Sequence, residues 1–192
     1  MDETWLYHYE PETKQQSLEW RHSRLPSPKK FRVQKSAGKV LPWIFWYRDG
    51  ILRIDYLLKG QTINAEYYLS LLVQLKDILK EKSHGKFTKV LLFLHDNAPA
   101  HRALATRKKL AYLGFQCLDH PPYSPDLAPS DYHLYPGLNK QWKGRHFSSD
   151  AEVISAAETW LEGQISDFFL NGLQKLHQRA KKCIELRGEY VE

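Results

Sequence analysis

Val90-Leu91-Leu92-Phe93-Leu94 is a run of five apolar residues without polar alternation, closed by His95 and Asp96. Such a strand is predicted to be buried on both faces. That requires helices above and below a sheet, which is an α/β arrangement. It also puts a carboxylate at the strand's carboxyl end, where open α/β sheets gather their functional groups. No apolar run in the chain exceeds five residues, against the roughly 20 needed to cross a bilayer.

The rest of the 192-residue chain fits around that strand. Trp5 to Tyr9 is short and aromatic-rich, as a strand would be. Leu41 to Tyr47 and Ile51 to Leu58 flank Arg48-Asp49-Gly50 and predict an antiparallel hairpin. Asn64 is a candidate cap for a helix with apolar positions Tyr68, Leu71, Leu72, Leu75, Ile78 and Leu79, a 3.6-residue stripe. Beyond Asp96, a helix is expected from about Ala100 to Leu113, stopped by Gly114, then a strand from Phe115 to Leu118. The proline-rich PPYSPDLAPS connector is expected to lack regular structure. Ser130 is expected to cap the next helix, with Asp131 in its first turn. Ser149 and Glu152 form a capping box for a helix to about Glu162. A last helix is expected to bury Phe169, Leu173, Leu176, Ala180 and Ile184. Three antiparallel strands followed by parallel strands joined by helices is the order of a ribonuclease H-like domain. One domain is expected over residues 1–192, with its C-terminal helices at about 149–187.

The 28 Lys and Arg outweigh the 22 Asp and Glu by six. Between Thr13 and Val40 there are eight basic residues and Glu19 alone on the other side, enough to supply that excess. Charge alone leaves two readings: a solvated loop, or one that meets phosphate. The opening MDETWLYHYE has no basic or long apolar stretch, which argues against secretion and membrane insertion. Cys117 and Cys183 form neither a disulfide framework nor a zinc ribbon, which suits a reduced intracellular setting. Cys117, beside a strand, reads as a small buried residue rather than a nucleophile. His95 and His101 are six apart and do not make a helical zinc pair. The aromatic residues of the hairpin read as core.

Three aspartates occupy element ends: Asp2 begins the first strand, Asp96 ends the buried one, Asp131 opens a helix. Neighbouring first and fourth strands would bring Asp2 and Asp96 into one site, with Asp131 leaning in. Three carboxylates so placed repel by about 4 kcal/mol per pair at 4 Å and effective dielectric 20. Hard divalent cations relieve that repulsion. Position alone is equally served by capping, the commoner use of such residues.

The words around these aspartates decide between the two. HDNAPAH (His95 to His101), PPYSPDLAPSDYHL (Pro121 to Leu134), DETW at Asp2, GILRIDYLLKGQTINAEYY (Gly50 to Tyr68) and the tail KKCIELRGEYVE together resemble the mariner family of cut-and-paste DNA transposases. So does the interval of 34 residues between Asp96 and Asp131. The resemblance implies a ribonuclease H-like mixed five-stranded sheet flanked by helices, with further C-terminal helices. It implies that Asp2, Asp96 and Asp131 are the catalytic and metal-binding residues, holding two Mg²⁺ (or Mn²⁺) ions. It further implies DNA phosphodiester hydrolysis at transposon ends, strand transfer into TA targets, a homodimer on paired ends, and a nuclear location. The basic segment, about residues 10–39, takes the place of the family's clamp loop, with Lys29, Lys30, Arg32 and Lys35 as its DNA-contacting candidates. Asp126, in the same motif as Asp131, reads as a turn residue.

The sequence also departs from the family. Neither the helix-turn-helix region nor the strand residues that normally precede Asp2 are in it. Phe45-Trp46-Tyr47 replaces a Trp-Asp word, and Arg179-Ala180 replaces an Arg-Trp pair. Two rival expectations follow: a degenerate copy that keeps DNA binding and dimerisation without turnover, and a generic two-metal nuclease.

Overall fold

The longest strand, β3 (Lys39–Tyr47), organises the molecule, and its alternating side chains divide the core in two. In the computed structural model, which describes residues 1–11, 38–57, 64–82 and 91–188, Leu41, Trp43 and Phe45 point to one face of the sheet. There they pack on Tyr68, Leu71, Leu72, Leu75 and Leu79 of α1 (Ala65–Lys82). Val40 and Ile44 point to the other face. Val40 joins Leu138, Trp142, Val153 and Ala157, while Ile44 joins Leu134, Tyr135, Leu161 and Phe169. A period of two on a strand with both faces covered gives three layers, helix on sheet on helix.

β4 (Gly50–Leu57) pairs antiparallel with β3 through a tight turn at Arg48-Asp49, as expected, and Leu52 is the extra residue of a bulge opposite Phe45 and Trp46. The first strand is not the predicted Trp5–Tyr9. It is two pieces, β1 (Asp2–Glu3) and β2 (Leu6–Tyr7), both antiparallel to β3. The register is continuous across them: Asp2 faces Ile44 and Tyr7 faces Lys39. The gap at Thr4-Trp5 lies opposite Pro42 and Leu41, and Pro42 has no N–H to donate to a ladder.

β5 (Leu91–Phe93) and β6 (Phe115–Cys117) form a parallel pair. This pair is not hydrogen-bonded to the four-segment ladder as strands of one continuous sheet. The Met1 nitrogen donates to Leu94 O at 3.0 Å and sets β5 beside β1. Counted with β1 and β2 as one strand, five strands remain. Leu92 is 64% exposed, so β5 is not buried on both faces. Only Phe93 of β5 is fully buried, on the side where α1 lies.

Asn64 caps α1 as read, its Oδ1 accepting the Tyr67 N–H at 2.8 Å. The helix expected at 100–113 is broken at Ala103 (ψ 140°) into α2 (Pro99–Arg102) and α3 (Leu104–Tyr112). The proline-rich connector does hold regular structure, a 3₁₀ turn at Pro125–Leu127. A π-helical turn, Ser130–Leu134, then leads into α4 (Tyr135–Trp142). Pro129, not Ser130, is the residue before that turn, and Ser130 is buried inside it. Ser149 caps α5 (Asp150–Glu162), but Glu152 returns its bonds to Ser148 rather than Ser149. In α6 (Ser166–Glu185) only Phe169 of the five predicted apolar positions is fully buried, and Ile184 is 79% exposed because the helix outruns the body it packs on. Cys117 is exposed, not buried as read. The basic segment's candidates Lys29, Lys30, Arg32 and Lys35 lie outside the described residues. Among the described residues no helix is long and apolar enough to cross a membrane.

Candidate active site

Asp2, Asp96 and Asp131 line one cleft of about 420 Å³. Each arrives from a different place in the chain. Asp2 is paired opposite Ile44 on β3. Asp96 lies three residues beyond β5, and Asp131 is on the π turn. Chain-distant carboxylates are thus brought to the lining of one cleft.

Their electrostatics differ. Asp2 is pushed up to about 6, first by burial and then by the charge of Asp131. Asp131 is also raised by burial, while a hydrogen bond with the Asp2 carboxyl opposes the shift. These two share the strain of a like-charge pair, which one proton relieves. Asp96 behaves in the opposite way. Burial would raise it, but a hydrogen bond from the His101 ring and one from the Ala98 N–H (3.1 Å) hold it below the ordinary carboxylate range.

His101, which the sequence excluded only as part of a helical zinc pair, holds Asp96. It is 1% exposed, with its Nδ1 on Asp96 Oδ1. Its ring stands edge-on to Trp43 (5.6 Å between centroids) and tilted on Tyr68 (4.3 Å). The signal was inside HDNAPAH: Pro99 at the first helical position starts α2 and carries His101 back over Asp96. Glu3 is the second unforeseen residue. It is pushed up to about 7, mainly by burial, and its Oε2 is buried without a hydrogen-bond partner. Beside Asp96, His95 falls to about 4 because burial and the neighbouring His101 disfavour its charge. Its Nδ1 lies 3.3 Å from the Tyr68 hydroxyl.

Among the described residues no three His, Cys, Asp or Glu side chains form a ready-made metal-ligand set. The donor chemistry nevertheless fits a hard divalent cation. Oxygen donors converge on one cleft, and burial raises two of them, Asp2 with a further push from the charge of Asp131.

The chain spans 80% of itself and 78% of a solved structure of the Mos1 transposase catalytic domain with Raltegravir and Mn, at 35% identity and TM-score 0.75. The chain belongs to the mariner transposase family. The sequence profile of a family described as Transposase (partial DDE domain) matches residues 10–89. Over its whole length the chain is 32% identical to the Mariner Mos1 transposase of Drosophila mauritiana and to the Histone-lysine N-methyltransferase SETMAR of Homo sapiens. It covers 55% of the first and 28% of the second, so it spans about half or less of these relatives. It also matches the Mos1 mariner paired-end complex with Mn over 100% of itself and 55% of that chain, with TM-score 0.88 and 32% identity. The ribonuclease H-like fold read from the order of elements is thus the fold of the mariner catalytic domain.

Proposed function

We propose that this chain is the catalytic domain of a mariner transposase, hydrolysing DNA phosphodiester bonds with divalent metal and joining the freed 3′ end to a TA target. The observation that carries this is the convergence of Asp2, Asp96 and Asp131 on one cleft. Asp2, Asp131 and the oxygen of Asp96 not bonded to His101 would hold two Mg²⁺ or Mn²⁺ ions. When bound, such ions activate water and stabilise the leaving oxygen at phosphorus.

The chain's own residues prepare the cleft. His101 fixes the rotamer of Asp96 and keeps its carboxylate ionised. Asp2 holds a proton up to about pH 6, shared with Asp131, and must release it before it can act as a ligand. The basic Thr13–Val40 segment supports contact with phosphate backbone, and Lys29, Lys30, Arg32 and Lys35 are assigned to it. The family further supports assembly as a pair on DNA ends and a nuclear location.

The test is Mn²⁺-dependent nicking of linear duplex DNA by this chain and by its Asp96→Asn variant, with capture of products joined into a TA-containing plasmid. Metal-dependent nicking lost in the variant, with joined products, is the expected result. DNA binding without nicking identifies a degenerate copy, and nicking without joining a generic nuclease. Either refutes the proposal.

A further inference from the structure

Asp131 is the most exposed of the three aspartates, half-shielded in the cleft, and no Lys or Arg among the described residues forms an ion pair with it. Yet every residue around it is tied down. Ser130 Oγ accepts the Trp46 indole N–H at 3.1 Å. The Tyr132 hydroxyl donates to Gly172 O at 2.8 Å. His133 Nε2 donates to Phe168 O at 2.7 Å, its ring stacked on the Phe168 ring with centroids 4.3 Å apart. Phe168 and Gly172 are one turn apart on α6, so consecutive residues of the π turn bond to one ridge of that helix. Arg179, two turns further, donates to Asp126 O at 2.9 Å and lies 4.4 Å over the Tyr132 ring.

The fit leaves no slack. A Cβ on Gly172 would stand 2.6 Å from His133 Cδ2 and 3.3 Å from the Trp46 ring. The His133 ring could yield only by giving up Phe168. π-helical turns are uncommon and concentrate at functional sites, since the extra residue changes where a side chain points. A turn of that kind needs outside support, and α6 supplies it.

We propose that Arg179 is a positioning residue for Asp131, acting through Tyr132 and Asp126 to hold the π turn against α6. This rests on the reading of Asp131 as a metal ligand. The guanidinium clamps both sides of the connector: the Asp126 carbonyl before Asp131 and the Tyr132 ring after it. Loosening the clamp lets the Asp131 carboxylate move relative to Asp2 and Asp96, which lowers the affinity of the centre for a divalent cation before any chemistry occurs.

The measurement is Mn²⁺ binding by titration calorimetry, on the full chain and on Arg179→Ala, Arg179→Lys, Tyr132→Phe and Asp131→Asn. Support around a metal site commonly accounts for about 10- to 100-fold in affinity. Arg179→Ala is therefore expected to weaken Mn²⁺ binding about tenfold, Tyr132→Phe to weaken it less, and Arg179→Lys to recover part of the loss. In an Asp131→Asn background, Arg179→Ala is expected to cause no further loss, because the residue through which it acts is already gone. Unchanged Mn²⁺ affinity in both Arg179→Ala and Tyr132→Phe overturns the proposal. So does an undiminished effect in the Asp131→Asn background. If Arg179→Ala does not fold, Arg179→Lys, which keeps the charge but loses the planar contact with the Tyr132 ring and the Asp126 carbonyl, is expected to bind Mn²⁺ more weakly than the parent, and parent-like affinity overturns the proposal. Failure of the parent chain to bind Mn²⁺ would instead sink the metal-site reading itself, so the two failures are distinguishable.

Discussion

Asp2→Asn should make the metal-free protein more stable while removing a ligand the proposed reaction needs. The Asp2 carboxyl rises from 3.8 to about 6 on folding. At about 1.36 kcal/mol per pKa unit the ionised group costs up to ~3 kcal/mol, and its partial contact with water reduces that to about 1.5 kcal/mol. The sign is set by protons. The folded state keeps the Asp2 proton over a range in which the unfolded chain has lost it, so folding takes up a proton there. That contribution is complete below about pH 4 and disappears as pH rises through about 6. Asn keeps the Glu3 N–H bond to the side-chain oxygen, 2.8 Å in the parent, and never ionises. Glu3 is also raised, mainly by burial and least by Asp2, so most of its titration is common to both proteins. Thermal or urea unfolding in EDTA should therefore give equal stabilities near pH 4 and a gap of about 1.5 kcal/mol near pH 8, roughly 3–6 °C in melting temperature for a domain of this size. Millimolar Mn²⁺ at pH 8 should narrow the gap by stabilising the parent more. Parallel stability curves from pH 4 to 8 would refute the reasoning, because Asp2 would then carry no folding-linked proton.

Trp142→Ala removes an α4 side chain that is 1% exposed and packs on Phe147, and urea unfolding should register a loss of about 3–5 kcal/mol. Gly50→Ala forces φ +142° onto an alanine at the hairpin turn, and should cost about 1–3 kcal/mol in the same measurement without altering DNA affinity. His101→Ala should weaken Mn²⁺ binding about tenfold by freeing Asp96. His101→Asn, whose amide can stand near the position of Nδ1, should recover part of that loss in the same titration.

The layer plan was legible because it depends on periodicity. The helical stripe formed at Tyr68, Leu71, Leu72, Leu75 and Leu79, with the sixth expected position, Ile78, only half-buried, and the hairpin and the Ser149 cap of α5 formed where the pattern put them. What failed depends on tertiary partners. Leu92 belongs to an unbroken apolar run, yet no pattern states which face of a strand a helix will leave open. Ala103 carries no breaker signal, and the two-part α2–α3 helix turns on its extended ψ. Pro42, by contrast, was readable in principle. A proline in a central strand announces a missing ladder bond, and the first strand breaks opposite it. The aspartates were found through their motifs, but His101 and Arg179 act across five and fifty-three positions of sequence. Neither separation is a helical or strand period. Such partners show themselves only when the chain is folded.

The way the three carboxylates are held bears on what the cleft is for. Hydrogen bonds fix them or their flanks: His101 and the Ala98 N–H on Asp96, the Glu3 N–H on Asp2, and Trp46, Gly172 and Phe168 around Asp131. Of the recorded ion pairs among described residues, the only one to any of the three is His101 on Asp96, and that bond serves a neutral ring as well as a charged one. A fold seeking stability alone would set a Lys or Arg here, and the sequence has 28 of them. Instead, Arg53 pairs with Asp55, and Arg48, although it lines the cleft, pairs with Asp49 rather than with any of the three. Geometry is fixed while no Lys or Arg side chain among the described residues neutralises Asp2 or Asp131, and both carboxyls favour their protonated form. Holding acceptors in place without neutralising them is destabilising for the empty fold. It becomes favourable when a hard cation enters, since the preformed donors then need little rearrangement to meet it.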